Sequence, residues 1–216
     1  MTMSSEATGR TRTDRRVQRT RASIEDAFIR LAGARGYQNV TMEDVADVAD
    51  VAKATLYSHY ANRDALLAAV FARVTGELAD RVAYRDGTWT EVRAGAMTAV
   101  YEHAAEHRDL YRVCLAEPAT RALYLSGVAA YAEANTRRRL AALDREPRVP
   151  VAMTAVAFAG AHVALLEAWL AGRLAGTPAE LAARERDILV AGLAWAHNVS
   201  HEELGYRDEH SSLGPA

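Results

Sequence analysis

The sequence predicts an all-α protein, in which a small N-terminal head of three helices precedes a larger helical body. Alanine is abundant along the chain, and Gly and Pro are sparse outside a few junctions. Runs of β-branched residues, which favour strands, are absent. Apolar residues recur instead at three- and four-residue spacing, as on one face of a helix. We therefore expect about nine helices and no sheet.

The composition limits the class of protein. With 216 residues and 23.5 kDa, the chain has room for one large or two small domains. No uninterrupted apolar run reaches ~18 residues, so we expect no membrane partner. Residues 1–9 are polar and lack the apolar core of a signal peptide. The single cysteine, Cys114, fits a reducing cytoplasm, because it cannot form an internal disulfide.

The first helix is expected from about Arg15 to Arg35. Gly36 follows it, and glycine is common just after the end of a helix. The preceding residues are rich in Arg and carry little apolar surface, so we expect a disordered basic arm. A basic arm of this kind favours contact with the phosphates of a nucleic acid.

Residues 42–60 predict two short helices joined by a tight turn. Thr41 occupies the N-cap position of the first helix, and acidic residues follow in its first turn. Asp50 lies in the turn, where Asp is one of the few non-glycine residues that tolerate a left-handed conformation. Leu56 and Tyr60 are expected to pack inward. The second helix presents five polar side chains outward: Lys53, Thr55, Tyr57, Ser58 and His59. A short helix of this kind, braced by a small apolar one, is typical of DNA major-groove binding.

An ordered set of motifs extends from about Arg16 to Val70. It comprises Arg35-Gly36-Tyr37, Val40-Thr41, Val45-Ala46, the turn to Val51, Lys53, Thr55-Leu56-Tyr57, His59-Tyr60 and Asn62-Arg63-Asp64-Ala65-Leu66-Leu67. Together these motifs resemble the DNA-binding domain of the tetracycline-repressor (TetR/AcrR) family of bacterial transcription regulators. The chain departs from the family pattern at three positions: Asp50 replaces a turn glycine, Ala52 a serine and Ala54 a glycine. Ala52 removes a capping hydroxyl, at about 1 kcal/mol of helix stability.

The resemblance implies a helix-turn-helix head that binds double-stranded DNA. Lys53, the only lysine among 26 basic residues, would contact phosphates together with Arg63. Thr41 would contact a phosphate through its hydroxyl or a helix-start amide. The candidate DNA-binding residues are Arg16, Arg19, Thr41, Lys53, Ala54, Thr55, Tyr57, Ser58, His59 and Arg63.

A long helix is expected to connect the head with the body, from near Arg63 to about Tyr84. In the resembled family, a tilt of this helix changes the spacing of the two heads of a dimer. Asp86-Gly87-Thr88 predicts a turn after it. The expected domains are a disordered basic arm over 1–14, a helix-turn-helix domain over 15–62, a linking helix over 63–84, a ligand-binding and dimerisation domain over 85–201 and a flexible tail over 202–216.

Five helices are expected in the body, and proline marks several of their ends. Pro118 fits a first turn, and Thr177-Pro178 forms an N-cap and N1 pair. The predicted helices span 89–107, 109–116, 119–145, 150–174 and 178–197. The last two carry more apolar surface than one body core needs to cover. We therefore expect a homodimer through an isologous four-helix interface, which suits a palindromic operator.

The body is also expected to enclose a site for a small apolar or aromatic effector. Its candidate lining residues are Tyr101, Tyr111, Cys114, Tyr124, Tyr131, Asn135, Phe158, His162 and Trp169. Mostly aromatic walls with a few polar groups are typical of a small-molecule site. The alternative is that these aromatic residues form ordinary core and that His162 is a core histidine with satisfied hydrogen bonds.

The histidine pairs and the single cysteine raise metal binding and catalysis as other possible functions. His103 and His107 are four residues apart, as are His197 and His201, and such pairs chelate zinc. Neither pair has an evident third ligand in the sequence, so we expect no metal site and no cofactor. Cys114 lacks the context of a nucleophile and no Gly-rich phosphate loop is present, so a helical hydrolase or transferase is not expected.

The predicted function is therefore a dimeric, cytoplasmic DNA-binding regulator. We expect a repressor that a small ligand releases from a palindromic operator. The alternative is a helical ligand-binding or protein-interaction module whose head no longer binds DNA.

Overall fold

The computed structural model describes residues 4–82 and 89–200, and these residues form nine α-helices, one short 3-10 helix and no strand. The all-α prediction is thereby confirmed. The helices are α1 (Ser4–Arg35), α2 (Met42–Ala49), α3 (Lys53–His59), α4 (Arg63–Arg81), α5 (Trp89–Glu106), α6 (Arg108–Ala116), α7 (Pro118–Ala142), α8 (Val151–Leu170) and α9 (Pro178–Ala196), with the 3-10 helix at Tyr37–Asn39. The expected ends of the body helices agree with these to within a few residues.

The start of α1 differs from the sequence-based expectation. The helix begins at Ser4, so it includes most of the arm over residues 1–14 that we expected to be disordered. Residues 4–14 contain no proline, and extending an existing helix requires only local backbone hydrogen bonds. The expected turn at Asp86-Gly87-Thr88 and the tail over 202–216 lie outside the described residues.

The described residues divide into two compact units. The first contains the chain up to Val74 together with Asp109–Glu117, and the second contains Thr75–Arg108 and the chain from Pro118 onward. The division falls inside α4, whose residues belong partly to each unit. This division reflects only which residues pack together. The domain boundaries expected from the sequence therefore remain predictions.

The core of the first unit is formed by apolar residues of α1, the 3-10 helix, α2 and α3. Leu56 and Tyr60 are buried, as predicted, together with Phe28, Leu31, Tyr37, Val40 and Val45. Phe28 and Tyr37 pack edge to face, with ring centroids 6.1 Å apart. Each fully buried large side chain contributes about 1.5–3 kcal/mol to stability. This burial holds α2 against α1 and α3 against α2.

In the second unit, α7 packs against α8 and α5 packs against α9. Arg121 of α7 donates to the Glu167 carboxylate of α8 at 2.6 Å. Among the described helices, α8 has the length and composition to cross a membrane, with 39% of its most apolar window buried. Core helices of water-soluble proteins pass the same test, and α8 carries polar side chains that are bonded to α7 and α9.

Candidate nucleic-acid interface and ligand site

A capping box holds the start of α2. The hydroxyl of Thr41 accepts from the amide of Asp44 at 3.1 Å, and the Asp44 carboxylate accepts from the Thr41 amide at 3.0 Å. The Thr41 hydroxyl also donates to that carboxylate at 2.7 Å. These bonds with Thr41 lower the pKa of Asp44. The amide and the hydroxyl of Thr41 are both bonded inside the cap. A phosphate at this helix start would therefore be bound by the other amides of the first turn.

The turn between α2 and α3 has the conformation predicted for it. Asp50 has φ 53° and ψ 49°, which lies in the left-handed region, and its amide donates to the carbonyls of Ala46 and Asp47. Ala52 is the N-cap residue of α3 and makes no side-chain cap bond. The turn therefore forms without the glycine and the serine usual in the resembled family.

Helix α3 has one buried side and one exposed side. Leu56 is fully buried, and Tyr60 at the C-cap is buried as well. The remaining candidates lie on the outer side, where Lys53, Ala54, Tyr57 and Ser58 are exposed and Thr55 and His59 are half-buried. The structure thus places the DNA-binding candidates of α3 on the side of the helix away from Leu56.

Two of these side chains have partners within the head. Lys53 Nζ lies 3.7 Å from a carboxylate oxygen of Glu43, and both side chains are largely exposed. An exposed pair of this kind is weak, so Lys53 can leave Glu43 for a phosphate at little cost. Ser58 Oγ donates to the carbonyl of Thr55 at 2.7 Å. This bond still leaves the oxygen lone pairs of Ser58 as acceptors.

Arg16 and Arg19 lie on α1 and are exposed. They are thus presented from a helix rather than from a flexible arm. Val17 between them is also 40% exposed, so this part of α1 is not covered by other described residues.

The structure gives Arg63 an internal role. Its guanidinium donates to the carbonyls of Tyr37 and Gln38 at 3.1 Å and of Val40 at 3.2 Å. It also lies over the Tyr37 ring, 4.2 Å from the centroid. The Tyr37 hydroxyl donates to Asp64, and burial followed by this bond raises the pKa of Tyr37 to about 12. Arg63 and Asp64 together fasten the start of α4 to the 3-10 segment.

A buried carboxylate joins three parts of the head. Glu25 of α1 accepts from the Tyr60 hydroxyl and from Arg73 of α4, each at 2.6 Å. Arg21 donates to the same Tyr60 oxygen at 3.3 Å. Burial is the main cause that raises the pKa of Tyr60. The network fixes the C-terminal end of α3 relative to α1 and α4.

In the second unit, four of the predicted ligand residues form one aromatic cluster: Tyr101, Phe158, His162 and Trp169. The Tyr101 ring lies edge-on to His162 and to Trp169, with centroids 5.8 and 5.5 Å away. His162 also stacks on Phe158 at 6.0 Å. These residues of α5 and α8 are therefore neighbours and are buried, and their contact with a ligand remains a prediction.

Glu185 of α9 accepts from this cluster. The Tyr101 hydroxyl donates to its carboxylate at 2.8 Å, and His162 Nδ1 lies 2.9 Å from the other carboxylate oxygen. Burial, followed by the charge of Glu185, raises the pKa of Tyr101, so the hydroxyl keeps its proton. Trp169 Nε1 donates to the carbonyl of Gly176 at 3.2 Å. In this conformation the Tyr101 hydroxyl, His162 Nδ1 and Trp169 Nε1 each have a partner inside the protein, as in the core alternative.

The other five ligand candidates lie on α6 and α7. Tyr124, Tyr131 and Asn135 lie on α7, where the Tyr131 hydroxyl donates to the carbonyl of Val82 and the Asn135 amide to that of Tyr131. Tyr111 and Cys114 of α6 are buried in the first unit. Burial raises the pKa of Cys114 to about 12, which keeps the thiol protonated and unreactive near pH 7.

The sequence analysis did not identify the buried acidic residues. Glu25 falls on the apolar stripe of α1, one residue after Ile24 and three before Phe28. Glu185 likewise follows Leu181 by four residues on the buried side of α9. A carboxylate on the apolar side of an amphipathic helix is the pattern that would have indicated both.

Comparisons with known proteins agree with this geometry. Residues 24–70 match the family model described as "Bacterial regulatory proteins, tetR family". An uncharacterized HTH-type transcriptional regulator, YxbF of Bacillus subtilis (strain 168), is 37% identical over 70 residues, which are 32% of this chain. The chain spans only 18% of the length of that curated relative.

Solved structures share the fold of most of the chain. The fatty acid degradation regulator FadR from Bacillus halodurans aligns with TM-score 0.70 and 16% identity, covering 81% of this chain and 96% of that one. FadR from Bacillus subtilis in complex with stearoyl-CoA aligns with TM-score 0.70 and 17% identity, covering 79% and 98%. A putative TetR-family regulator from Syntrophomonas wolfei str. Goettingen has TM-score 0.71 and 14% identity, with coverage of 82% and 96%. At these identities the likeness shows the fold.

Proposed function

Since residues 24–70 make this chain a member of the bacterial TetR family, we propose that it is a cytoplasmic, DNA-binding transcriptional regulator that acts as a dimer. The observation that carries the proposal is the outer surface of α3. Exposed Lys53, Tyr57 and Ser58 stand on a helix that buried Leu56 anchors. The family and the related regulators named above are regulatory proteins, not enzymes.

The proposed interaction places α3 in the major groove. Tyr57, 47% exposed, and Thr55, Ser58 and His59 would contact base edges or the backbone. Lys53 would contact a phosphate, as would Arg16 and Arg19 from α1. Arg63 donates to carbonyls of the 3-10 segment and would therefore support DNA binding indirectly, by holding the start of α4 in place.

We expect Lys53→Ala to weaken binding to all DNA sequences by about tenfold and to reduce the salt dependence of log K by about one unit per protomer. The measurement is fluorescence anisotropy over a range of salt, with DNA flanking the protein's own gene. Arg137→Ala is the matched control, since it removes the same charge from an exposed position on α7. Equal affinity and salt slope in both variants would contradict the phosphate contact. A wild-type protein that binds no DNA would favour the alternative of a helical interaction module.

The proposed dimer forms through α8 and α9. Met153 and Val156 of α8 and Ile188 and Trp195 of α9 are exposed, which is unusual for large apolar side chains. Gly160 and Gly192 have open space where a side chain would project. Pairing these helices with a second copy would bury the exposed residues and would place two α3 helices on one palindromic operator.

We expect Ile188→Glu to dissociate the dimer. Ile188 is 67% exposed in the single chain, and burying one such side chain from each copy contributes about 2 kcal/mol per copy. The loss corresponds to at least about a thousandfold in the dimer dissociation constant. Light scattering at micromolar concentration measures the dissociation constant. The control is Leu123→Glu on α7, where Leu123 is 60% exposed. A wild-type monomer, or a dimeric Ile188→Glu variant, would contradict the proposed interface.

The proposed effector is a small apolar or aromatic molecule that binds in the body and releases the operator, so that the protein acts as a repressor. Such a ligand would shift the population towards a conformer whose heads no longer match two half-sites. The FadR neighbour in complex with stearoyl-CoA supports including long-chain acyl-CoA in a ligand panel. The test is operator release measured by anisotropy, and a compound that binds without changing DNA affinity would not be the effector.

A further inference from the structure

Three potential ligands meet between α4 and α5. Glu77 lies in the part of α4 that belongs to the second unit, and His103 and His107 lie one turn apart at the end of α5. The Nε2 atoms of both histidines lie 3.7 Å from the same oxygen of Glu77. One ligand atom from each residue lies within 4.8 Å of the other two. The carboxylate is the third ligand that the His103/His107 spacing lacked in the sequence.

The distances fit a metal ion at the centre of the three groups. With bonds of about 2.1 Å to imidazole and carboxylate, tetrahedral ligands are about 3.4 Å apart. The two 3.7 Å separations from Glu77 therefore require adjustments of a few tenths of an ångström. The ligand atoms of the two imidazoles lie within 4.8 Å of each other, so bringing them to this spacing requires at most about 1.4 Å of further movement. The two imidazole rings are also close, with centroids 4.5 Å apart, so no large rotation of α5 is needed.

The surroundings suit a site with one open position. The His103 side chain is fully buried, whereas Glu77 and His107 are 40% and 31% exposed, so the site is reached from solvent on one side. Arg81 is paired with Glu106 through two bonds of 3.0 and 2.6 Å, which offsets its positive charge near the site.

We propose that Glu77, His103 and His107 bind one divalent transition-metal ion, with Zn²⁺ as the preferred ion and water as the fourth ligand. Two imidazoles and a carboxylate form a ligand set that suits Zn²⁺, and the i,i+4 pair presents both imidazoles from one face of α5. The bound ion would tie the last turns of α4 to α5. None of these three residues belongs to the aromatic cluster or to the proposed DNA-binding residues, so substitutions in the metal site leave both sets intact.

The test is isothermal titration of ZnCl₂ into the full chain, produced without a histidine tag and freed of metal with a chelator. We expect one ion per chain in the tight-binding phase. Glu77→Gln and His107→Asn should each weaken that phase by at least about 100-fold, since each removes a direct ligand. Zn²⁺ should also raise the Tm of the wild type and leave the Tm of both variants nearly unchanged.

Matched controls separate this site from other histidines and from misfolding. His59→Ala and Glu102→Gln alter an imidazole on α3 and an exposed carboxylate on α5, and both should keep the wild-type affinity. His103→Ala is avoided because that side chain is fully buried. Circular dichroism in EDTA should give the two ligand variants the helicity of the wild type. Wild-type affinity in Glu77→Gln, or loss of the tight phase in His59→Ala, would overturn the proposal.

Discussion

Replacing Glu185 with alanine is expected to lower the free energy of unfolding by about 3–5 kcal/mol. The side chain is 1% exposed and accepts from the Tyr101 hydroxyl and from His162, which are buried as well. Alanine would leave both groups buried without this acceptor and would also leave a cavity. Glu185→Gln keeps the shape and one acceptor oxygen, so we expect it to lose less. Guanidinium unfolding at one fixed protein concentration measures the difference.

The matched control for Glu185 lies on the same helix. Asp187 is 46% exposed and pairs with the neighbouring Arg186, so Asp187→Ala should change stability by less than about 0.5 kcal/mol. If Glu185→Ala cost no more than this control, the carboxylate would not be holding the aromatic cluster together. Tyr101 and His162 would then again be candidates for direct hydrogen bonds to a ligand.

We expect Arg63→Ala to destabilise the protein by about 2–4 kcal/mol in the absence of DNA. The guanidinium donates to three backbone carbonyls and stacks on Tyr37, so its removal leaves these acceptors unbonded and loosens the start of α4. Arg63→Lys should recover less than half of the loss, because a single ammonium cannot reproduce the planar fork of donors. Chemical unfolding monitored by circular dichroism provides the measurement.

A surface arginine provides the comparison for Arg63. Arg137→Ala removes an exposed partner of Glu133 on α7 and should cost about 0.3–0.5 kcal/mol. If Arg63→Ala cost as little stability as Arg137→Ala but strongly weakened DNA binding, Arg63 would act as the phosphate ligand expected from the sequence. The two measurements together thus separate a structural role from a direct contact.

Local patterns in the sequence correctly predicted much of the head. The cap at Thr41, the left-handed turn at Asp50 and the inward side of α3 all follow from interactions within a few residues. Leu56 and Tyr60 were expected to pack inward for the same reason, since helix periodicity places them on one side. Lys53, Tyr57 and Ser58 are therefore exposed as the sequence predicts, and Thr55 and His59 are half-buried. The contacts of these residues with DNA remain predictions.

Residues whose partners lie far along the chain were not predictable in this way. Glu25 meets Arg73, and Glu185 meets Tyr101, across separate helices. Glu77 joins the histidine pair only because α4 and α5 are adjacent at that point. No periodicity within one helix contains that information, because it depends on which faces of two helices pack together.

The sequence by itself determined that this chain is helical, where its helices start and end to within a few residues in the body, and which short segment forms the helix-turn-helix. These properties depend on backbone hydrogen bonding, capping and side-chain spacing, all of which act over a few residues. The tertiary structure alone decided that Arg63 binds carbonyls of the 3-10 segment and that buried Glu185 accepts from Tyr101. It also decided that the Glu77 carboxylate lies beside His103 and His107. Burial and pairing of charged groups arise only when separate helices pack, because packing excludes the water that would otherwise solvate them.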